Sequence, residues 1–268
     1  MKSFNNLKIG SKLLISCLLI GLVPFSILAL ISVYKASHSL ETQSYHQLES
    51  VRGIKASQIE NFLAISRRDT EGLAALVHTM MENGTLSETL ENKDKDHKNL
   101  FAKYHDSYGY YDLFLIKPDG LISYSIMKEP DYKTNLMTGP YKDSNLGELF
   151  RQIVKSGKYA IMDIQPYAPS NGAPAGFTGA PVFDEAGRLQ LIVALQIPLD
   201  PINAIMNLRD GMGNSGESFL VGPDLLLRSD TFLDPENHSV VASFANPESG
   251  SVNTLAAKAA LAGKTASK

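Results

Sequence analysis

The 268-residue chain carries 25 basic and 28 acidic residues, for a formal charge of −3, so its charge balance does not indicate a nucleic-acid partner. Its one cysteine, Cys17, excludes an intramolecular disulfide. About 230 residues follow the first apolar run, and at about 150 residues per domain this length suggests one large domain or two small ones.

An uncharged apolar run near the N-terminus has the length of a membrane span. Residues 13–34 carry no charged side chain, and at about 1.5 Å per residue a helix over them is about 33 Å long. Residues 1–12 contain three lysines and no acidic residue, so the positive-inside rule predicts a cytoplasmic tail and an exterior location after residue 35. A cleaved signal peptide, a lipoprotein signal at Cys17 and a soluble core helix are less favoured alternatives.

Residues 35–82 predict one long helix. They contain no proline, and apolar side chains recur at steps of three, four, seven and eight, as an amphipathic helix requires. Lys55 and Ser66 interrupt the apolar stripe, so the pattern is not that of a continuous coiled coil. Gly84 lies where helices commonly stop. We therefore expect this helix to continue from the membrane span.

Residues 83–208 alternate between predicted strands and helices. Residues 110–116 and 121–127, joined by the sequence Lys-Pro-Asp-Gly, are typical of a β-hairpin with a tight turn. The other predicted elements are strands at 159–165, 176–183 and 188–197 and helices at 145–155 and 201–209. The pattern predicts an α/β (α+β) domain built on an antiparallel sheet.

A repeat links this domain to the rest of the chain. Residues 114–121, FLIKPDGL, resemble residues 219–226, FLVGPDLL, with matches at one common offset. Leu225 stands where the first copy has Gly120, so a different turn is predicted there. Residues 209–268 are expected to form an incomplete, loosely ordered second unit, because they have no counterparts of the three strands that follow the helix in the first copy. Its predicted elements are strands at 218–221 and 225–228 and a helix at 254–261.

The sequence contains no recognisable catalytic or metal-binding set. Its six histidines lack the spacing to a second ligand that a metal site needs. GMGNSG at residues 211–216 fits G-x-G-x-x-G, but a predicted helix precedes it and a strand follows. This order is the reverse of a dinucleotide site, so the segment is interpreted as a flexible linker. We expect no enzyme activity, no cofactor and no metal ion.

Four blocks of sequence carry a resemblance to a known family. The blocks are YYDLFLIKPDGLISYS (110–125), NLMTGPYKDSNL (135–146), PYAPSNGAPAGFTGAPVFDEAGRLQLIVALQIPLDPIN (166–203) and GNSGESFLVGPDLLLRSD (213–230). With the predicted span and long helix, they resemble the double Cache (tandem PAS-like) sensor region of bacterial methyl-accepting chemotaxis proteins. The resemblance implies a small-molecule sensor exposed outside the bacterial inner membrane and a homodimer formed through the long helix. We expect the chain to be a fragment, or a truncated gene product, that stops before a second membrane span.

In that family the membrane-distal unit usually holds the ligand, which corresponds here to residues 83–208. One subset binds amino acids through Arg-x-Trp-Tyr, Tyr-x-Asp and a late-strand Asp. Here Pro140-Tyr141 stands near the Trp-Tyr position, Pro169 replaces the Asp of Tyr-x-Asp, and Gln196 replaces the late Asp. Because a free ammonium group needs a carboxylate partner, a small polar ligand other than a free amino acid is predicted.

The predicted ligand site consists of aromatic and polar side chains expected to converge on one sheet face and its loop, as a small-molecule pocket requires. The alternative is that its tyrosines are ordinary core residues with hydrogen-bonded hydroxyl groups. The predicted ligand-binding residues are Tyr124, Asp131, Asn135, Tyr141, Tyr167, Phe177 and Gln196.

Three classes of function stay open at this stage. The first is the sensing segment of a transmembrane chemoreceptor, with the sensor region of a histidine kinase or nucleotide cyclase as the alternative output. The second is a membrane-tethered binding or scaffold protein without signalling output. The third, a membrane-anchored enzyme, is disfavoured because the sequence offers no catalytic set.

Overall fold

The computed structural model describes residues 8–91 and 100–264. The described part of the chain divides into two compact units, residues 8–53 and residues 54–264. Helix α1, Ile9–Glu82, includes both the predicted membrane span and the predicted long helix. Its most apolar stretch has a mean hydropathy of 2.7, and no part of that stretch is buried. By length and composition, α1 is therefore able to cross a membrane.

The larger unit, from residue 54 onward, contains an α+β fold. Helices α2 (Leu86–Glu91) and α3 (Leu100–Tyr108) precede the first hairpin, strands β1 (Asp112–Ile116) and β2 (Ile122–Ser125). The chain continues with α4 (Asn145–Ser156), β3 (Ala160–Tyr167), a 3-10 turn (Ala168–Ser170), β4 (Ala173–Phe183), β5 (Leu189–Ile197) and α5 (Leu199–Asn207). All five strands and both helices predicted between residues 110 and 209 are confirmed, with ends that shift by a few residues.

The strands form one antiparallel sheet in the order β2-β1-β5-β4-β3, which confirms the predicted PAS-like antiparallel-sheet fold. Long aliphatic runs in β1 and β5 are buried on both faces, which is why these strands lie inside the sheet. The register places Gln196 of β5 between Phe177 of β4 and Asp112 of β1. Directly opposed residues share a face, so these three side chains lie on the same side.

Two apolar layers cover the sheet. On one face, Leu113 and Leu195 pack in a cluster with Leu73 and Val77 of α1. On the other face, α4 packs against β4 over Gly179. A Cβ at that glycine would lie 2.8 Å from Cδ1 of Ile153 and 3.0 Å from Cδ2 of Leu149, so the absent side chain lets α4 approach closely.

The two polar residues that interrupt the apolar stripe of α1 are buried. Lys55 is 6 % exposed and donates its ammonium hydrogens to carbonyl oxygens at the end of α5, those of Met206 (3.2 Å) and Leu208 (2.6 Å). Orphan carbonyls at a helix C-terminus favour such a cation. Ser66 donates to the carbonyl of Phe62, one turn earlier in α1. The interruptions therefore mark packing sites of the helix rather than a solvated face.

The second copy of the repeat does not form strands. Strands were predicted at residues 218–221 and 225–228, and both predictions are wrong: only a single bridge joins Val221 and Leu227. Helices α6 (Val240–Ala245), α7 (Pro247–Gly250) and α8 (Leu255–Leu261) follow. Helix α8 confirms the helix predicted at 254–261. Leu220, Val240 and Phe244 of this region cluster with Ile164, Ile197 and Ile202 of the sheet and α5.

The tight turns of the two repeat copies are nevertheless alike, so the prediction of a different turn at Leu225 is wrong. Gly120 N–H donates to the carbonyl of Lys117, and Leu225 N–H donates to the carbonyl of Gly222, both at 2.9 Å. Gly120 has φ +91° and Leu225 has φ +66°. Leucine thus takes a left-handed conformation that costs about 1–2 kcal/mol for a residue with a Cβ.

Replacing Leu225 by glycine is expected to stabilise the protein by about 0.5–1 kcal/mol, because released backbone strain exceeds the extra entropy of unfolded glycine. Urea unfolding of the two proteins measures the difference. The matched change Gly120→Ala is expected to destabilise, since its Cβ would lie 3.0 Å from Cγ of Met137. If Leu225→Gly destabilises as much as Gly120→Ala does, the leucine side chain contributes more than its strain costs.

Candidate functional site

A buried pair of polar side chains forms the centre of the candidate site. Tyr167, at the end of β3, donates its hydroxyl hydrogen to Oδ2 of Asp131, in the loop after β2, at 2.5 Å. Both residues are fully buried. The Tyr167 ring contacts the Phe177 ring edge to face, with 4.8 Å between centroids. An aromatic wall and a carboxylate are thus brought together from two strands and a loop.

Three buried oxygen atoms of these strands, their loop and α4 have no hydrogen-bond partner among the described residues: Oδ1 of Asp131, Oδ1 of Asn145 and Oε1 of Gln196. Asn145 donates its amide hydrogens to the carbonyls of Asp163 and Ala175, and Ala175 lies two residues before Phe177 on β4. Buried polar atoms are normally paired, so a group of unpaired ones requires an explanation. All three are acceptors, and they suit a molecule that donates hydrogen bonds.

Asp112 adds a second buried carboxylate beside Gln196. Its Oδ2 accepts from the Ser125 hydroxyl at 2.7 Å, and its Oδ1 accepts from the backbone N–H groups of Leu113, Ile126 and Met127. Burial raises the pKa of Asp112 to about 6, although these hydrogen bonds favour the charged form and lower it. The effect of burial is therefore the larger of the two.

The charge around the Asp131–Tyr167 pair is negative. Burial raises the pKa of Asp131, and the hydrogen bond from Tyr167 opposes that effect. Burial, and next the charge of Asp131, raise the pKa of Tyr167, so its hydroxyl stays protonated. Glu129 accepts hydrogen bonds from the hydroxyls of Tyr111 (2.9 Å) and Ser170 (2.6 Å). Among the described residues, no lysine or arginine forms an ion pair with Asp112, Glu129 or Asp131.

Four of the seven predicted site residues come together here: Asp131, Tyr167, Phe177 and Gln196. Tyr124 does not, and the prediction that it converges with them is wrong. It lies opposite Leu115 in the register, and it packs on the other sheet face against Phe101. The next residue, Ser125, points toward the candidate site instead, because side chains alternate along a strand.

Asn135 and Tyr141 lie in the loop between β2 and α4, which also carries Asp131. The Asn135 side chain holds a turn: its amide donates to the carbonyl of Asp119 at 2.8 Å, and its oxygen accepts from the backbone N–H of Met137. Tyr141 is half-buried, and its carbonyl accepts from the Ser144 hydroxyl that caps α4. Both residues shape the loop, and neither has an unpaired buried polar atom.

The sequence analysis missed two polar residues of the site, Asp112 and Asn145. Asp112 begins a strand and Asn145 begins a helix, and polar residues at such ends usually satisfy local backbone groups. The distinguishing feature of Asn145 is a bond to Ala175, 30 residues away, which no local pattern reveals. Asp112 had a usable signal, because its strand is otherwise apolar.

Comparisons with known proteins show what the fold is. No protein-family model matches the sequence, and no curated protein matches it. The ligand-binding domain of the Campylobacter jejuni chemoreceptor Tlp3, solved with 4-methylisoleucine, is similar with a TM-score of 0.52 and 12% identity, over 81% of this chain and 75% of that one. The chain has the fold of a chemoreceptor ligand-binding domain.

Two further solved structures have lower scores. The ligand-binding domain of the Pseudomonas fluorescens chemoreceptor CtaA, in complex with L-isoleucine, has a TM-score of 0.49 and 15% identity, over 71% of this chain and 69% of that chain. The sensor domain of the Vibrio cholerae histidine kinase DctB has a TM-score of 0.48 and 14% identity, over 68% of this chain and 65% of that chain.

Proposed function

We propose that this chain is the exterior, small-molecule-sensing part of a membrane-anchored chemoreceptor. The observation that carries the proposal is the group of unpaired acceptors at Asp131, Asn145 and Gln196, buried in a fold shared with a chemoreceptor ligand-binding domain. Helix α1 supplies a stretch that is long and apolar enough for the anchor. A homodimer through exposed apolar residues of α1, such as Leu40 and Leu48, completes the proposal.

The ligand class follows from the chemistry of the site. Asp131 supplies a carboxylate, so the sequence argument that no carboxylate is available to an ammonium group does not hold. A buried carboxylate is stabilised by a donor that carries positive charge. Within residues 8–91 and 100–264, no cationic side chain pairs with the site carboxylates, so a ligand carboxylate would find no cation there that neutralises it. The site therefore fits a small amine without a carboxylate group, in keeping with the predicted exclusion of free amino acids.

Binding of a small amine is expected to require Asp131. The full chain in lipid nanodiscs should show a raised melting temperature with simple primary amines and no shift with the matching carboxylic acids. Asp131→Asn keeps the size of the side chain but loses a charged hydrogen bond worth about 1.5–3 kcal/mol, so the apparent Kd should rise about tenfold or more.

Asp143→Asn is the matched control, because Asp143 is an exposed carboxylate on the same loop. It should bind the amine like the unaltered chain. Equal loss of binding in both variants, or a shift with carboxylic acids instead of amines, would contradict the assignment of the ligand class.

The membrane topology is expected to place residue 36 onward outside the cytoplasm. The lysines of residues 1–12 and the uncharged run that follows motivate this expectation. A phosphatase that is active only after export, fused after residue 60, should be active. The same reporter fused after residue 10 should be silent. Activity of a cytoplasm-dependent reporter at residue 60 would show that the orientation is reversed.

A further inference from the structure

A cavity of about 440 Å³ lies in the larger unit, on the sheet face opposite to the candidate site. Gly176 and Ile197 contribute to its wall, and they are opposed to each other in the sheet. They are the chain neighbours of Phe177 and Gln196, so they face away from the Asp131 site. The cavity is therefore separate from the site proposed for the amine.

Apolar side chains from four parts of the fold line this cavity. Gly176 contributes no side chain, and a Cβ there would lie 3.3 Å from Cγ1 of Ile164 and 3.4 Å from the carbonyl oxygen of Met162. This glycine keeps the wall free of a side chain that would fill the space. The main lining side chains are Ile59 and Leu63 of α1, Ile161 and Ile164 of β3, Ile202 of α5 and Leu220 of the repeat.

The charged groups at the wall of the cavity are already paired with each other. Arg228 donates from Nε to both carboxylate oxygens of Asp163 at 3.0 Å, and from Nη2 to Oδ2 of the same residue at 2.8 Å. It also binds Asp224 and the carbonyl of Leu226. A charged ligand would lose hydration here without gaining a free partner, so the lining selects a neutral molecule.

The volume sets the size of that molecule. Ligand pockets commonly measure about 300–1,000 Å³, and a dry apolar cavity of about 150 Å³ is enough for benzene. We propose that this cavity is a second ligand site, which takes a neutral, apolar molecule of one or two rings in size. The site adjoins α1, so its occupant contacts the helix that carries the predicted membrane span.

Site-directed labelling of the full chain in nanodiscs tests the proposal. Leu63 is 36% exposed at the cavity, whereas Ile65, at 38%, lies on the same helix and is not part of the lining. Leu63→Cys and Ile65→Cys, each with Cys17→Ser, are treated with methanethiosulfonates that carry a neutral benzyl, a cationic or an anionic group. The measured quantity is the rate of the benzyl reagent relative to the charged reagents.

Burial of one aromatic ring should make this rate ratio about tenfold larger at residue 63 than at residue 65. Free indole, a neutral probe, should slow the benzyl reaction at residue 63 alone. Equal ratios at the two positions, or an excess at residue 63 that free indole does not reduce, would overturn the proposal. Either result leaves amine binding at Asp131 untouched.

Discussion

Arg228→Ala is expected to lower the free energy of unfolding by about 3 kcal/mol. Arg228 is 7% exposed, and its guanidinium joins the second repeat copy to Asp163 of β3 through a forked contact, from Nε to Oδ1 and from Nη2 to Oδ2. It also lies over the Phe244 ring, 5.0 Å from the centroid. Breaking a buried ion pair costs about 3–5 kcal/mol. The lower end applies because the side chains of Asp163 and Asp224 are 48% and 42% exposed and regain water.

The location of the effect distinguishes this prediction from general destabilisation. Hydrogen exchange in residues 217–264 should accelerate more than exchange in β1–β5, because Arg228 attaches that segment to the sheet. Arg188→Ala is the control: its ion pair with Asp184 is exposed on the arginine side, at 77%, and such pairs contribute about 0–1 kcal/mol. Unchanged exchange in residues 217–264 would mean that the apolar cluster alone holds the segment.

The first sheet was predictable from sequence because its signals are local. The apolar runs of β1 and β5 and the Lys-Pro-Asp-Gly turn between β1 and β2 are local patterns that specify strands. The same local signal failed at residues 218–228. Strand β1 pairs with both β2 and β5. In the described part of the chain, residues 218–221 form a β-bridge only with residues 225–228. A two-stranded pairing is only marginally stable, so the presence of a second neighbouring strand decides whether the same local pattern forms a regular strand.

The candidate site was predictable only in part, because register is not local. Tyr124 and Ser125 differ by one position, and the hairpin register decides which of them points toward Phe114 and the site face. Ser125 lies opposite Phe114. A shift by one residue exchanges the faces of every side chain in the strand. The long-range bonds of Asn145 were likewise hidden, whereas the aromatic side chains of Tyr167 and Phe177 followed from composition.

Asp112→Asn is expected to change how stability depends on pH. The pKa of Asp112 rises to about 6 in the folded chain from 3.8. A raised pKa means that the folded state binds the proton more tightly than the unfolded state. The resulting stabilisation is fully present below pH 3.8 and is lost as the pH rises through 6. The shift corresponds to about 3 kcal/mol in total.

The substitution removes this titration while keeping the local bonds. The Asn oxygen retains the acceptor position for the N–H groups of Leu113, Ile126 and Met127, and its amide donates to the Ser125 hydroxyl oxygen. Urea unfolding at pH 7 and at about pH 4.5 gives the change in stability for each protein. Subtracting the two changes cancels the other groups, including Asp131.

The original chain should gain about 2 kcal/mol more than Asp112→Asn does between pH 7 and about pH 4.5. Above pH 6 the variant should be the more stable protein, because it buries no charge at this position. A difference near zero would show that the four hydrogen bonds to Asp112 fully offset its burial. The carboxylate next to Gln196 would then stay charged throughout the neutral range, and the candidate site would carry a negative charge that is independent of pH.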